Sequence, residues 1–202
     1  MRRRALLSLA LLLFGGVCAA EVPVEDGDLI FQTSRSSQSL AIQHATKSEY
    51  SHMGIIFFRD GRPYVLEANA TVRYTELQQW IERGQGRHFV VKRLRNAKML
   101  LTDDGKRKLR DEARKLEGRK YDLTFEWSDD RIYCSELAWK IFDRALGIHI
   151  GELQHMRDFN LSDPLVHSRL RERFGDKVPL DEPVISPVAM FRSPLLVTVT
   201  KR

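Results

Sequence analysis

Apolar and polar positions change period repeatedly along this chain, so that short runs with strand character alternate with stretches of helical spacing. Asp28-Leu-Ile-Phe31, after the turn pair Asp26-Gly27, predicts a short buried strand. Leu40, Ala41 and Ala45 then repeat at helical spacing over residues 37–46, and the serines ahead of them offer a cap. The run Ile55-Ile-Phe-Phe58 and the run Tyr64-Val-Leu-Glu-Ala68 flank Asp60-Gly61, a hairpin signal. Antiparallel pairing of residues 54–58 with 63–68 brings the start of the first strand to the end of the second. His52 and Glu67 are therefore expected to be neighbours.

Thr75-Glu-Leu-Gln78 has capping-box spacing, and Leu77, Trp80 and Ile81 predict a short helix stopped at Gly84. Residues 89–94 read as a further strand. Thr102 is placed to cap a helix through Leu109, Ala113 and Leu116 that ends at Gly118. A loop carrying Tyr121 and Trp127 leads to Asp129-Asp130 and then to a helix with Leu137, Ile141 and Ala145 on its apolar face. Another helix opens at Ser162-Asp-Pro164 and stops near Gly175. Pro179, Pro183 and Pro187 break the next stretch, and residues 195–200 form a last strand. Strands and helices interleaved in this way, with a hairpin at their centre, predict an α+β domain.

The ends and the composition narrow the setting. Arg2-Arg3-Arg4, an apolar run from Ala5 to Phe14 and the small residues Cys18-Ala19-Ala20 read as an export signal over residues 1–20, cleaved after Ala20. The run is shorter than the ~20 apolar residues of a membrane span. Val17 is bulkier than the residue that precedes a lipid-modified cysteine, which argues against lipidation at Cys18. Residues 21–202 then form a single domain, expected in the periplasm without a stable transmembrane anchor. Cleavage lowers the net charge from +6 to +3, too mild to argue for nucleic acid. No paired-cysteine or His-Glu-x-x-His pattern asks for a metal or other cofactor, and the acids Asp129-Asp130 read as helix-cap partners. Oligomeric state is not written in these patterns.

With Cys18 in the leader, Cys134 has no partner for an internal disulfide. An inert buried thiol and a nucleophile are both open at this point. The position favours chemistry, because the first turn of a helix presents unpaired N–H groups and positive potential to an anion. A nearby imidazole could take the thiol proton. His52 is best placed, and Glu67 across the hairpin could orient it. His44, His88, His149, His155 and His167 lie in polar or weakly patterned surroundings and read as surface or structural.

Asp28-Leu-Ile-Phe, Tyr50-Ser-His-Met-Gly-Ile, Tyr64-Val-Leu-Glu-Ala and Gly118-Arg-Lys-Tyr-Asp ahead of Tyr133-Cys-Ser-Glu-Leu resemble the NlpC-type, papain-like cysteine hydrolases. The histidine block precedes the cysteine block here, which resembles the circularly permuted branch, the YiiX/YaeF-like group. The resemblance runs from Gly27 to about Ile141. It implies a permuted papain-like fold, with an antiparallel sheet packed against the helix that bears Cys134. It also implies Cys134 as nucleophile, His52 as general base and Glu67 as orienting residue. Tyr121 matches a family tyrosine that helps bind the oxyanion, with Tyr50 and Tyr133 as competing candidates. Glu136 follows Ser135 where many family peptidases have glycine, and it either faces the pocket and deters anionic substrates or points to solvent.

The activity implied is hydrolysis of an amide through an acyl-enzyme, with murein peptide the substrate suggested by compartment and family. A lipid or acyl-ester hydrolase, or an acyltransferase with the same triad, is the alternative. A binding module without catalysis is a third reading.

Overall fold

The computed structural model describes residues 22–202, so the export-signal reading and Cys18 lie outside the described residues. The central hairpin forms as the alternation implies: β2 (His52–Arg59) pairs antiparallel with β3 (Arg62–Ala68), with Ile55 opposite Leu66. Asp60 and Gly61 close it with φ of 50° and 76°. Both positive angles belong to the type I′ turn that matches strand twist. β1 (Leu29–Gln32) lies on the other side of β2, and β5 (Val90–Leu94) and β10 (Leu196–Lys201) continue the sheet beyond it. β4 (Val72–Glu76) completes the far edge, giving the order β10-β5-β1-β2-β3-β4 with every neighbouring pair antiparallel.

Side chains alternate across this sheet and build two cores. Met53, Ile55, Phe57 and Leu66 face a layer that contains α4 (Asp103–Leu116) and α5 (Cys134–Leu146), while Ile56 and Val65 face Trp80 and Ile81 of α2 (Leu77–Arg83). Thr102 caps α4 as its spacing requires, its hydroxyl accepting the N–H of Gly105. α5 is buried on all sides from Cys134 through Phe142. A helix apolar on more than one face belongs inside a layer rather than on a surface, so the placement of Cys134 is tied to the core.

The remaining helices are α1 (Ser39–Thr46), the single turn α3 (Ala97–Leu100), α6 (Pro164–Phe174) and α7 (Pro187–Phe191). α1 packs on α6, and two short pairs complete the fold: β6 (Lys120–Tyr121) with β7 (Arg131–Ile132), and β8 (Gln154–His155) with β9 (Pro183–Val184). This is the antiparallel sheet and cysteine-bearing helix expected from the sequence.

Three local readings are corrected. Thr75 does not open a capping box, because it lies within β4, and its hydroxyl donates to Glu67 instead. The serines before α1 do not cap it: Ser39 bonds Ser51 through their hydroxyls at 2.6 Å, and the Ser51 hydroxyl accepts the N–H of Ser34. Asp129 is no cap for α5 either, since the helix starts five residues later and Asp129 pairs with Lys140 and Arg144.

The His-Met-Gly sequence at the head of β2 has a steric basis. Continuing the register one step past Ile55 and Leu66 sets Gly54 opposite Glu67. A Cβ on Gly54 would fall on Val65 Cγ1 and within 2.6 Å of the Leu66 carbonyl oxygen. Gly54→Ala is expected to lower stability by roughly 1–3 kcal/mol, as overpacking does in tight interiors. Thermal unfolding measures it; an unchanged melting temperature would show that the strands can move apart at no cost.

Candidate active site

Cys134 is the first residue of α5, where backbone N–H groups have no intrahelical acceptor. It is the free cysteine of the described residues and is 2% exposed. The residues on either side anchor it to the C-terminal part of the chain. Tyr133 accepts the N–H of Ile185 on its hydroxyl at 3.1 Å, and the Ser135 hydroxyl donates to the Ile185 carbonyl at 2.8 Å. Glu136 points neither to pocket nor to solvent. It is fully buried, its carboxylate accepts the N–H of Tyr133 and lies 2.7 Å from Lys140 Nζ, and burial pushes its pKa up to about 8 against the pull of that lysine.

His52 projects from the start of β2 and is held on both sides. Its Nε2 donates to Glu67 Oε2 at 2.7 Å, and Cys134 is its other polar neighbour. Trp80 lies nearly parallel to the imidazole at 5.9 Å and shields it from water. Burial alone would depress the imidazole, yet the hydrogen bonds and charges of Cys134 and Glu67 raise it to about 9. An imidazolium is thus the favoured state at neutral pH.

Glu67 has no exposed surface, and an isolated carboxylate there would be costly. Four donors compensate. Besides His52, the Thr75 hydroxyl donates to Oε1 at 2.6 Å, the Trp80 indole N–H donates to Oε2 at 3.0 Å, and Arg83 forms an ion pair with Oε1. Burial pushes the carboxyl up, but His52, Thr75 and Arg83 hold it down at about 2. Thr75, Trp80 and Arg83 escaped the sequence reading. Their helical spacing marked Trp80 as core, and no pattern within the chain ties an indole N–H to a strand residue thirteen positions earlier.

The structure thus brings Cys134, His52 and Glu67 together and separates the tyrosines. Tyr121 borders the same pocket as Cys134, and burial together with the nearby sulfur pushes its phenol well above the ordinary range. Tyr133 reaches the pocket wall with its hydroxyl engaged at Ile185. Tyr50 stacks on Phe191 at 4.1 Å and meets Phe31 edge-on. Of the other histidines, His44 pairs with Asp163, His149 with Asp143, and His88 with the Arg202 carbonyl.

Two recesses adjoin the catalytic pair, one lined by the thiol and the other by the imidazole. One is apolar, walled by Ala41, Ile42, Phe125, Phe159 and Leu170, with Cys134 at its edge. The other is more polar, bordered by His52, Asn69, Arg83 and Lys120.

The model of a family described as "permuted papain-like amidase enzyme, YaeF/YiiX" matches residues 23–200. The chain is 48% identical over 177 residues to YiiX of Escherichia coli strain K12, described as an uncharacterized protein, across 88% of this chain and 86% of that one. It is also similar to a crystal structure described as metalloprotein yiiX from Escherichia coli O157:H7, with a TM-score of 0.84 and 48% identity over 88% of this chain and 97% of that chain.

Proposed function

The chain belongs to the permuted papain-like amidase family, and from that premise we propose that it is an exported thiol amidase in which Cys134 is the nucleophile, His52 the acid and base, and Glu67 the residue that orients His52. The observation that carries this reading is the imidazole that donates to a buried, ionised carboxylate and has Cys134 as its other polar neighbour. The thiolate attacks the amide carbon, and the π electrons move to oxygen. His52 gives its proton to the leaving nitrogen as the C–N bond breaks, which leaves a thioester on Cys134. Water attacks the thioester while His52 takes its proton, and the acid product leaves. Glu67 keeps the ring in the tautomer and orientation that both steps need.

The O157:H7 relative's description as a metalloprotein does not extend to this mechanism. Among the described residues no three His, Cys, Asp or Glu side chains come together as a metal site would require. Glu67, the acid nearest the thiol–imidazole pair, already meets four protein donors. The donor set does not fit an ion, and no step is routed through one.

Periplasmic location rests on the leader read at residues 1–20. Among the described residues no helix is long and apolar enough to cross a membrane. For the substrate, compartment suggests murein peptide, but the apolar recess beside Cys134 favours a hydrophobic acyl group on the side that stays attached to sulfur. The same triad would then cleave acyl amides or acyl esters of the envelope. Incubation of residues 21–202 with purified muropeptides and, separately, with acyl lipids, read by mass spectrometry, is expected to give acyl-chain release. Cleavage of muropeptides alone would overturn the acyl reading in favour of a wall peptidase.

A further inference from the structure

We propose that the guanidinium of Arg173 anchors a fixed negative charge on the substrate, so that the acyl group taken up by Cys134 is largely apolar but carries a carboxylate or phosphate. The proposal rests on the thiol-amidase reading above and deepens it by naming what that acyl group carries. Arg173 stands one residue before the end of α6 and lines the same apolar recess as Cys134. It is half-buried, and loss of water there holds its pKa below the ordinary arginine value. A cation drawn out of water is stable only when an anion compensates it.

The protein does not provide one. Among the described residues Arg173 donates from Nη2 to Gln38 Oε1 at 3.2 Å, and no carboxylate pairs with it. The two acids whose charges reach it are held elsewhere: Glu172 pairs with Arg169 at 2.8 Å, and Asp122 accepts from Thr124 and from the N–H of Glu126. A guanidinium presents its N–H donors as a planar fork that fits a pair of carboxylate or phosphate oxygens. Most of that fork is unused. Its Cζ lies 5.8 Å from the centre of the Phe125 ring, and since Gln38 and Phe125 both line the recess, the group sits on the recess wall.

The surrounding charges point the same way. Among the described residues no Asp or Glu lines either the apolar recess or the more polar one beside His52. Glu136 is turned inward to Lys140, and Glu67 is buried against its four donors. Arg169 lines the apolar recess too, but Glu172 neutralises it, which leaves Arg173 as the uncompensated cation there. An acidic acyl group therefore meets no like charge on the walls. A neutral one would cover the guanidinium and leave it unmatched.

The test sets p-nitrophenyl half-esters of the diacids from succinic to suberic acid, and p-nitrophenyl esters of ω-phosphonoalkanoic acids, against neutral p-nitrophenyl esters of the same chain lengths. In each, Cys134 adds to the carbonyl, the C–O bond breaks as p-nitrophenolate leaves, and water then releases the acid from the thioester. At least one acidic ester is expected to exceed its neutral counterpart in kcat/KM. Arg173→Met keeps the apolar stem and is expected to lower kcat/KM for that ester by about 10- to 10²-fold, the worth of a charged hydrogen bond, with the neutral esters and iodoacetamide alkylation unchanged. Arg173→Lys keeps the charge without the fork and should recover part of the loss. A preference for carboxylate assigns the anion to an acidic acyl or peptide group, and a preference for phosphonate to a phosphorylated lipid. The proposal is overturned if wild type prefers no acidic ester or if the preference survives in Arg173→Met. An equal fall with acidic and neutral esters also overturns it, and marks Arg173 as a clasp between α1 and α6. If wild type cleaves none of the esters and is alkylated no faster than a free thiol, the thiol-amidase reading itself fails.

Discussion

His52→Ala is expected to slow alkylation of Cys134 by iodoacetamide at neutral pH by roughly 10²- to 10³-fold and to abolish measurable turnover, since proton transfer by a positioned base is worth about 10²–10⁴. The pH dependence separates the two roles of the imidazole. Its pKa is raised to about 9, against an ordinary 6.5, by the hydrogen bonds and charges of Cys134 and Glu67 working against burial. Above that value His52 is neutral and cannot protonate a leaving amine. Turnover of an amide should therefore fall as pH rises through about 9, while alkylation, which needs only the thiolate, should not. Equal and slow alkylation of wild type and His52→Ala across the range would leave a binding protein with a papain-like fold.

Removing Glu67 should give a large loss of stability. Glu67→Ala leaves His52, Thr75, Trp80 and Arg83 donors facing an empty buried site, and breaking a buried charge pair from one side costs about 3–5 kcal/mol. Glu67→Gln keeps the volume and removes the charge, so the expected loss is smaller and depends on pH. The carboxyl is held at about 2 against an ordinary 4.5, despite burial, by His52, Thr75 and Arg83. A group depressed in the folded state contributes stability above its unfolded pKa and loses it as pH falls through the folded one. The gap between wild type and Glu67→Gln should accordingly be full at neutral pH and shrink from about 4.5 downward to about 2. Urea unfolding at pH 7 and pH 3 measures it. An identical gap at both would mean that shape, not charge, is what Glu67 supplies. The shifts of His52 and Glu67 report one shared contact, so their contributions are not to be added.

The parts of this site that were legible in the sequence are those set by local rules. Asp60-Gly61 fixes a two-residue turn, the turn fixes the register, and the register brings His52 to Glu67. Cys134 was legible as a helix start because the apolar face behind it begins at once. Contacts between separate elements were not legible. Thr75 and Trp80 carry the residue types of a cap and a core helix, and only the fold of β4 against β3 turns their polar atoms toward Glu67. Glu136 looked like a pocket or surface acid from its position beside Ser135, yet Lys140 one turn on in the same helix meets it in the interior.

The two halves of the site also differ in what they ask of the unfolded chain. His52 and Glu67 are 15 residues apart and joined through a hairpin, whereas Cys134 lies 82 residues beyond His52. Loop-closure entropy grows as (3/2)RT ln n, so joining the thiol to the imidazole costs about 1.5 kcal/mol more than joining the imidazole to its carboxylate. Hairpins close within microseconds, and contacts of high sequence separation come later. A permuted chain that places the histidine hairpin first therefore emerges with its base and orienter able to associate before the thiol exists. The reactive pair forms only when α5 docks, and thiol activation becomes a reporter of complete folding.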